Sequence, residues 1–298
     1  TDIGIIVGTS EGALGTCCDF QSMITEKGNA SGSAFKFPNT VYNAAGGYLS
    51  ICSGIKGYNV TVTNGAQSGL ASMAYAMSVL RSGQENAMLA TGSDENSDIM
   101  TELFGKLGVT SESVVTPFAG NDGFVLSDGS ASVLIEDEKA ARERGARIYC
   151  HVAGYGMAHS NVKFGTLTGS EAGLTNAVNN ALADAGMTID DIDAVFGFAN
   201  GMKAVDDVEI KGLTAVFGDK LAEKPVVELK EVLGESRAAA ATTAAAHAAL
   251  MFAGKIPSQE AYSIAADGSV SKTNVEASKL NNVLVAAYGA GGSYTAIV

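Results

Sequence analysis

A strand that runs through a glycine turn straight into a helix is a common seat for a nucleophile in α/β enzymes. Residues 60–83, VTVTNGAQSGLASMAYAMSVLRSG, have that form. A thiol or hydroxyl at such an apex faces the helix N-terminus, whose N–H groups and dipole stabilise an anion there. The apex here is Gly65-Ala66-Gln67-Ser68-Gly69, and Ala66 has no atom that can attack. Cys17, Cys18 and Cys52 lie at no comparable elbow, so none is expected to replace it. Cys150 and His151 are neighbours without a further ligand cluster, and no metal site is expected. His247 falls inside an alanine-rich helix and reads as a core residue, and His159 reads as a surface loop residue. The glycine-rich stretches GTSEGALG (8–15) and GAGG (289–292) lack the Lys-Ser/Thr of a phosphate loop. They read as turns, and no cofactor is expected.

The elements that would position this turn follow from periodicity. Strands are expected at 3–7, 59–63, 87–91, 131–136, 148–154, 193–198, 226–229, 283–288 and 294–298, and helices at 67–82, 171–185, 207–216 and 236–253. The last helix is almost all alanine, so it is expected to be buried on every side. The two halves, roughly 1–150 and 151–298, echo each other. Each has a strand, a glycine turn, a buried helix, a second strand and a closing Gly-Ser turn into an antiparallel strand. The predicted class is α/β, a duplicated α/β unit with a buried helix pair between layers, in one body.

The 298 residues are 46% hydrophobic and 17% charged, enough for a substantial core. A formal net charge of -13 disfavours non-specific nucleic-acid binding, which needs Lys and Arg to displace phosphate counterions. The four cysteines form no CxxC and are expected to be free, buried thiols in a reducing compartment. No run is long enough to span a membrane, and a cytoplasmic protein is expected. The chain opens on a strand-like run without Met, as a fragment or processed chain would.

Several ordered segments resemble the β-ketoacyl synthase family of the thiolase-like fold. They are FPNTVYNAAGGYLSI (37–51), TPFAGNDGFVLSDGSASVLIED (116–137), ARERGARIYCHVAGYG (141–156), VDDVEIKGLTAVFG (205–218) and the ending AYGAGGSYTAIV. The resemblance covers nearly the whole chain. It implies layered α-β-α-β-α halves and, in active members, a Cys-His-His constellation that decarboxylates a malonyl thioester and condenses it with an acyl-Cys.

Carried across position by position, the family's nucleophile falls on Ala66. Its first His falls on Phe198, with Asp206 and Glu209 holding the register. Its conserved Lys falls on Lys230 and its second His on Glu235. The Phe of its gate falls on Ala290, and the Asn beyond on Tyr294. No catalytic residue is therefore expected. Ala66, Gln67, Phe198, Lys230, Glu235 and Ala290 are the expected pocket residues, with Lys230 neutralising Glu235 or Glu209. The resemblance is to chain-length factors, degenerate ketosynthase subunits that form a heterodimer with an active ketosynthase served by an acyl carrier protein. They commonly carry Gln at the cysteine position, whereas here Gln67 follows it. The family's N-terminal strand and helices have no counterpart in this sequence. Three roles stay open: a subunit that bounds the acyl chain, a purely structural partner, and an altered thioester enzyme using Glu235.

Overall fold

The structure, a computed structural model, describes residues 3–163 and 166–298. The first half runs β1 (Ile3–Gly8), α1 (Leu14–Lys27), α2 (Ala44–Ser53), β2 (Asn59–Val62), α3 (Ser68–Arg81), β3 (Ala87–Asp94), α4 (Asp98–Lys106), β4 (Gly129–Glu136) and α5 (Glu138–Glu143). The second half opens with β5 (Tyr155–His159), α6 (Glu171–Ala185), β6 (Ala194–Phe196), α7 (Lys203–Phe217), β7 (Val226–Val227) and α8 (Lys230–Leu233). It ends with α9 (Ala238–Phe252), β8 (Ser258–Ile264), β9 (Val270–Glu276), β10 (Val283–Gly289) and β11 (Ser293–Ile297).

Two sheets result, β2-β1-β3-β4 and β5-β11-β10-β6-β7-β8-β9. In the first, β1 pairs in parallel with β2 and β3, and β4 is antiparallel to β3. The second repeats this pattern: β6 is parallel to β7 and β10, and β11 is antiparallel to β10. The helices that follow β2 and β7, α3 and α9, pack against each other and against strands of both sheets. They form the middle layer of the α-β-α-β-α stack. On the outer faces, α6 covers β5, β11 and β10, and α2 lies on β1 and β2.

Small residues allow this middle layer. A Cβ on Gly69 of α3 or on Gly92 of β3 would overlap the Ala238 carbonyl and the Thr242 side chain of α9. Alanine has the highest helix propensity and the smallest methyl-bearing side chain, so α9 stays helical while closely packed; it is not buried on every side as expected, for Ala240, Thr243, Ala246, His247 and Ala249 are half-buried and Leu250 is exposed. Ala238, Ala239, Ala241, Ala244, Ala245 and Ala248 are buried.

Some expectations need correction. No strand forms at 148–154. The strand begins at Tyr155, whose partner is Ile297; before it, Ala153 and Gly154 donate to the Val298 carbonyl and the Gly154 carbonyl accepts from the Val298 N–H. The helix expected at 207–216 starts at Lys203. The helices α1, α2, α4 and α5 and the β8–β9 hairpin were not expected. The cysteines are free but not buried, for Cys17 and Cys52 are exposed and Cys18 and Cys150 half-buried. His247 is half-buried beside Phe196, with ring centres 6.0 Å apart; His159 is exposed, but at the end of β5 opposite Ser293 rather than in a loop. No helix among the described residues is long and apolar enough to cross a membrane.

Candidate functional site

The turn between β2 and α3 is locked by its own side chains. Gly65 has φ 64°, a left-handed conformation that glycine adopts at little cost. The Ser68 hydroxyl accepts from the Asn64 N–H at 2.6 Å and donates to the Gly65 carbonyl at 2.6 Å. This fixes Ala66 at the entry to α3. The Ala66 methyl borders a cavity of about 20 Å³ that Phe198, Lys230, Arg237 and Tyr288 also line. That volume holds about one water molecule.

Phe198 follows β6 and is 3% exposed. Its ring packs on Tyr288 at 5.6 Å and Tyr294 at 6.2 Å, and those two lie 5.2 Å apart. Phe198 and Tyr288 thus border the cavity with Ala66, and Tyr294 packs behind them. Burial pushes the Tyr294 hydroxyl up to about 12, so it stays neutral. The Phe198 N–H donates to both oxygens of Glu209, at 3.1 and 3.0 Å. Two residues on, Asp206 accepts from the N–H groups of Asn200 and Gly201 at 3.0 and 3.2 Å, and from Phe118 at 2.7 Å. Phe118 has φ 64°, uncommon for a bulky residue, and this bond holds it there. Burial pushes Asp206 up to about 6, against the pull of these donors.

Lys230, at the start of α8, reaches Glu235 at 2.7 Å and the Phe198 carbonyl at 3.1 Å. Glu235 also accepts from the Asn200 side chain at 2.9 Å and the Arg237 N–H at 2.9 Å. Burial alone would raise its pKa. The Lys230 charge, with these hydrogen bonds, outweighs burial and holds the carboxyl below its usual range. Glu235 is a fixed anion with every nearby donor already engaged on it. The pairing expected for Lys230 is therefore found, with Glu235 rather than Glu209.

Ala66, Phe198 and Lys230 are brought together around the cavity, and Glu235 stands behind Lys230. Two expected residues are not. Gln67 is one position further along the helix turn, rotated by roughly 100°. It is fully buried, and its carbonyl accepts from Thr295. Ala290 sits exposed at the apex of the β10–β11 hairpin, outside the cavity lining. Among the described residues no histidine lines the cavity and no group of three His, Cys, Asp or Glu could hold a metal.

A second polar cluster was not foreseen. Asp94 at the end of β3 accepts from the Thr9 hydroxyl at 2.7 Å, the Ser10 N–H at 2.9 Å and the Ala238 N–H at 2.8 Å. It caps α9 and fixes the 9–12 turn at once. Arg237 has φ 52° and is 4% exposed; it lies 2.8 Å from Glu11 and donates to the Glu95 carbonyl at 2.7 Å. Burial pushes Glu11 up to about 7 despite Arg237. The sequence signal for this cluster was the GTSEGALG segment, which reads as a turn.

Residues 1–141 match the family described as "Beta-ketoacyl synthase, N-terminal domain", and residues 149–262 match "Beta-ketoacyl synthase, C-terminal domain". The 3-oxoacyl-[acyl-carrier-protein] synthase 2 of Vibrio cholerae is 29% identical over 225 residues, covering 73% of this chain and 54% of that protein. Nodulation protein E of Rhizobium leguminosarum bv. trifolii is 30% identical over 202 residues, covering 66% and 49%. The chain spans about half the length of these curated relatives. The solved structure of the ishigamide ketosynthase/chain length factor matches with a TM-score of 0.86 at 23% identity, over 99% of this chain and 74% of that one. AntDE:AntF, a type II acyl-carrier protein in complex with its ketosynthase, matches with a TM-score of 0.88 at 19% identity, over 99% and 77%. At these identities the structural likenesses establish the fold.

Proposed function

The chain belongs to the β-ketoacyl synthase family, and from that premise we propose that it is a non-condensing subunit of the chain-length-factor kind, paired with an active ketosynthase. One observation carries the reading: Ala66, Phe198 and Lys230 converge on one cavity with Glu235 behind it, and none supplies a nucleophile or a neutral base. Alanine cannot be acylated, and phenylalanine cannot move a proton. Glu235 is held ionised by Lys230, and an anion there would repel an enolate. The third role, thioester chemistry through Glu235, loses its support on the same ground.

The pairing surface is proposed at the edge of β2, which no strand covers among the described residues. Exposed large apolar side chains lie on β2 and on α2 beside it, namely Val60, Tyr48 and Ile51 (77% exposed), with Tyr58 just before the strand. An open strand edge flanked by such a patch is what a subunit contact covers. Supporting context comes from the relatives: one solved structure is titled a ketosynthase/chain length factor and another holds an acyl-carrier protein on its ketosynthase. An acyl carrier protein would dock on the complex through basic residues of the active subunit, since this chain is acidic.

The water-sized cavity favours a second reading, a purely structural partner, because it leaves no room for an acyl chain. Co-expression with an active ketosynthase separates the two. If the chain bounds the product, Phe198→Ala lengthens the acyl product and leaves the complex intact. If it only stabilises, product length stays fixed, and Ile51→Asp dissociates the complex.

A further inference from the structure

Glu228 ends the β7 segment and is 4% exposed. Among the described residues, neither of its carboxyl oxygens receives an N–H or O–H donor from the protein backbone or a non-acidic side chain. Its neighbour from α7 is Glu209, which is fully buried and already takes the Phe198 N–H on both oxygens. An oxygen of each carboxyl lies against Gly197, so close that a Cβ there would overlap both. The other charged or titratable groups facing this pair are Asp206 from α7, Lys230 from α8 and Tyr262 from β8. Lys230 is engaged with Glu235 at 2.7 Å. The site therefore holds two buried carboxyls with no counter-charge of their own.

Two bare carboxylates in such a place would repel each other with no donor to offset the loss of water. A single proton removes the repulsion and makes the missing hydrogen bond. We infer that Glu228 and Glu209 share one proton, carried on Glu228 and donated to Glu209, and that this acid pair positions the 197–201 loop and with it Phe198 over the closed cavity. The geometry has a clear direction. Glu209 is the acceptor for Phe198 N–H, so it must be the charged member, and Glu228 has no other partner to which it could turn.

The pH behaviour follows. Burial, and then the Glu209 charge, push Glu228 well above the usual carboxylate range, while burial takes Glu209 up to about 7. The pair titrates as a unit. A carboxyl whose folded pKa is raised loses stability as pH rises from its unfolded value through its folded one. Asp206 and Glu11, raised by burial to about 6 and about 7, lose most of their contribution by neutrality and the last of it by about pH 8. Above about pH 8 the acid pair remains.

The test is thermal unfolding of the intact chain and of Glu228→Gln between about pH 7 and 8.5, with infrared spectra at about pH 8. The amide of Glu228→Gln still donates to Glu209 but has no proton to lose. The wild-type Tm falls by about 3 °C more over this range than that of Glu228→Gln, as one released proton requires. The wild type shows the carbonyl band of a protonated carboxylic acid, which Glu228→Gln lacks and Glu11→Gln keeps. An equal slope in wild type and Glu228→Gln, or no protonated-acid band in the wild type, overturns the inference. Should Glu228→Gln fail to fold, the wild-type band alone decides.

Discussion

The two sheets share one strand pattern, yet their antiparallel strands meet different surroundings. Every residue of β11 is buried, whereas β4 alternates between half-buried and exposed, with Leu134 at 46%. The cause lies in the neighbours. β11 has β5 on its outer edge and α6 across its face. Among the described residues β4 pairs only with β3, and α9 covers its inner side. Burial is therefore a property of the layer a strand enters, and the same topological position tolerates SASVL in one half and requires SYTAI in the other.

This contrast can be broken by mutation. The largest effect is expected at Lys230 in the second half. Lys230→Met leaves Glu235 buried and unpaired, and should cost about 3–5 kcal/mol in urea unfolding. Ile297→Ala on β11 empties a packed site and should cost about 3 kcal/mol. Leu134→Ala, its counterpart on the exposed face of β4, should cost under about 1 kcal/mol; equal losses at the two positions would refute the asymmetry.

A smaller, pH-dependent effect belongs to the first half. Glu11 has a folded pKa of about 7, raised by burial. Its protonated form favours the folded state, so its contribution is full below its unfolded pKa and is lost as pH rises through about 7. Glu11→Gln should reduce the fall of Tm between about pH 5 and 8 and leave the range above about 8 unchanged. The smallest effect is expected at the exposed Lys203–Asp207 pair, 2.6 Å apart, where Lys203→Ala should change stability by under about 0.5 kcal/mol.

The sequence revealed the parts whose pattern is set locally. Uninterrupted apolar runs marked β1, β3 and β10, and the alanine run marked α9, because close packing admits little else there. Ordered motifs pointed to Ala66, Phe198, Lys230 and Glu235, of which the first three border one cavity and the last pairs with Lys230. Other elements were hidden for physical reasons. Helix α1 has no buried residue, so no apolar stripe announces it. The hairpin strands SQEAYSI and VSKTNVE lie at the sheet edge and are largely polar. Gln67 was misplaced because one residue of shift on a helix reverses its surroundings. Glu228 gave no signal, for a lone glutamate at a strand end reads as surface until its burial is seen.

The central claim is that the turn before α3 and its neighbours carry no condensing chemistry. Its most direct test is the homogeneous chain incubated with acyl- and malonyl-loaded carrier protein, with β-ketoacyl product and carbon dioxide both measured. The account predicts levels equal to the protein-free control, with condensation appearing only when an active ketosynthase is added. Turnover by the chain alone would contradict it.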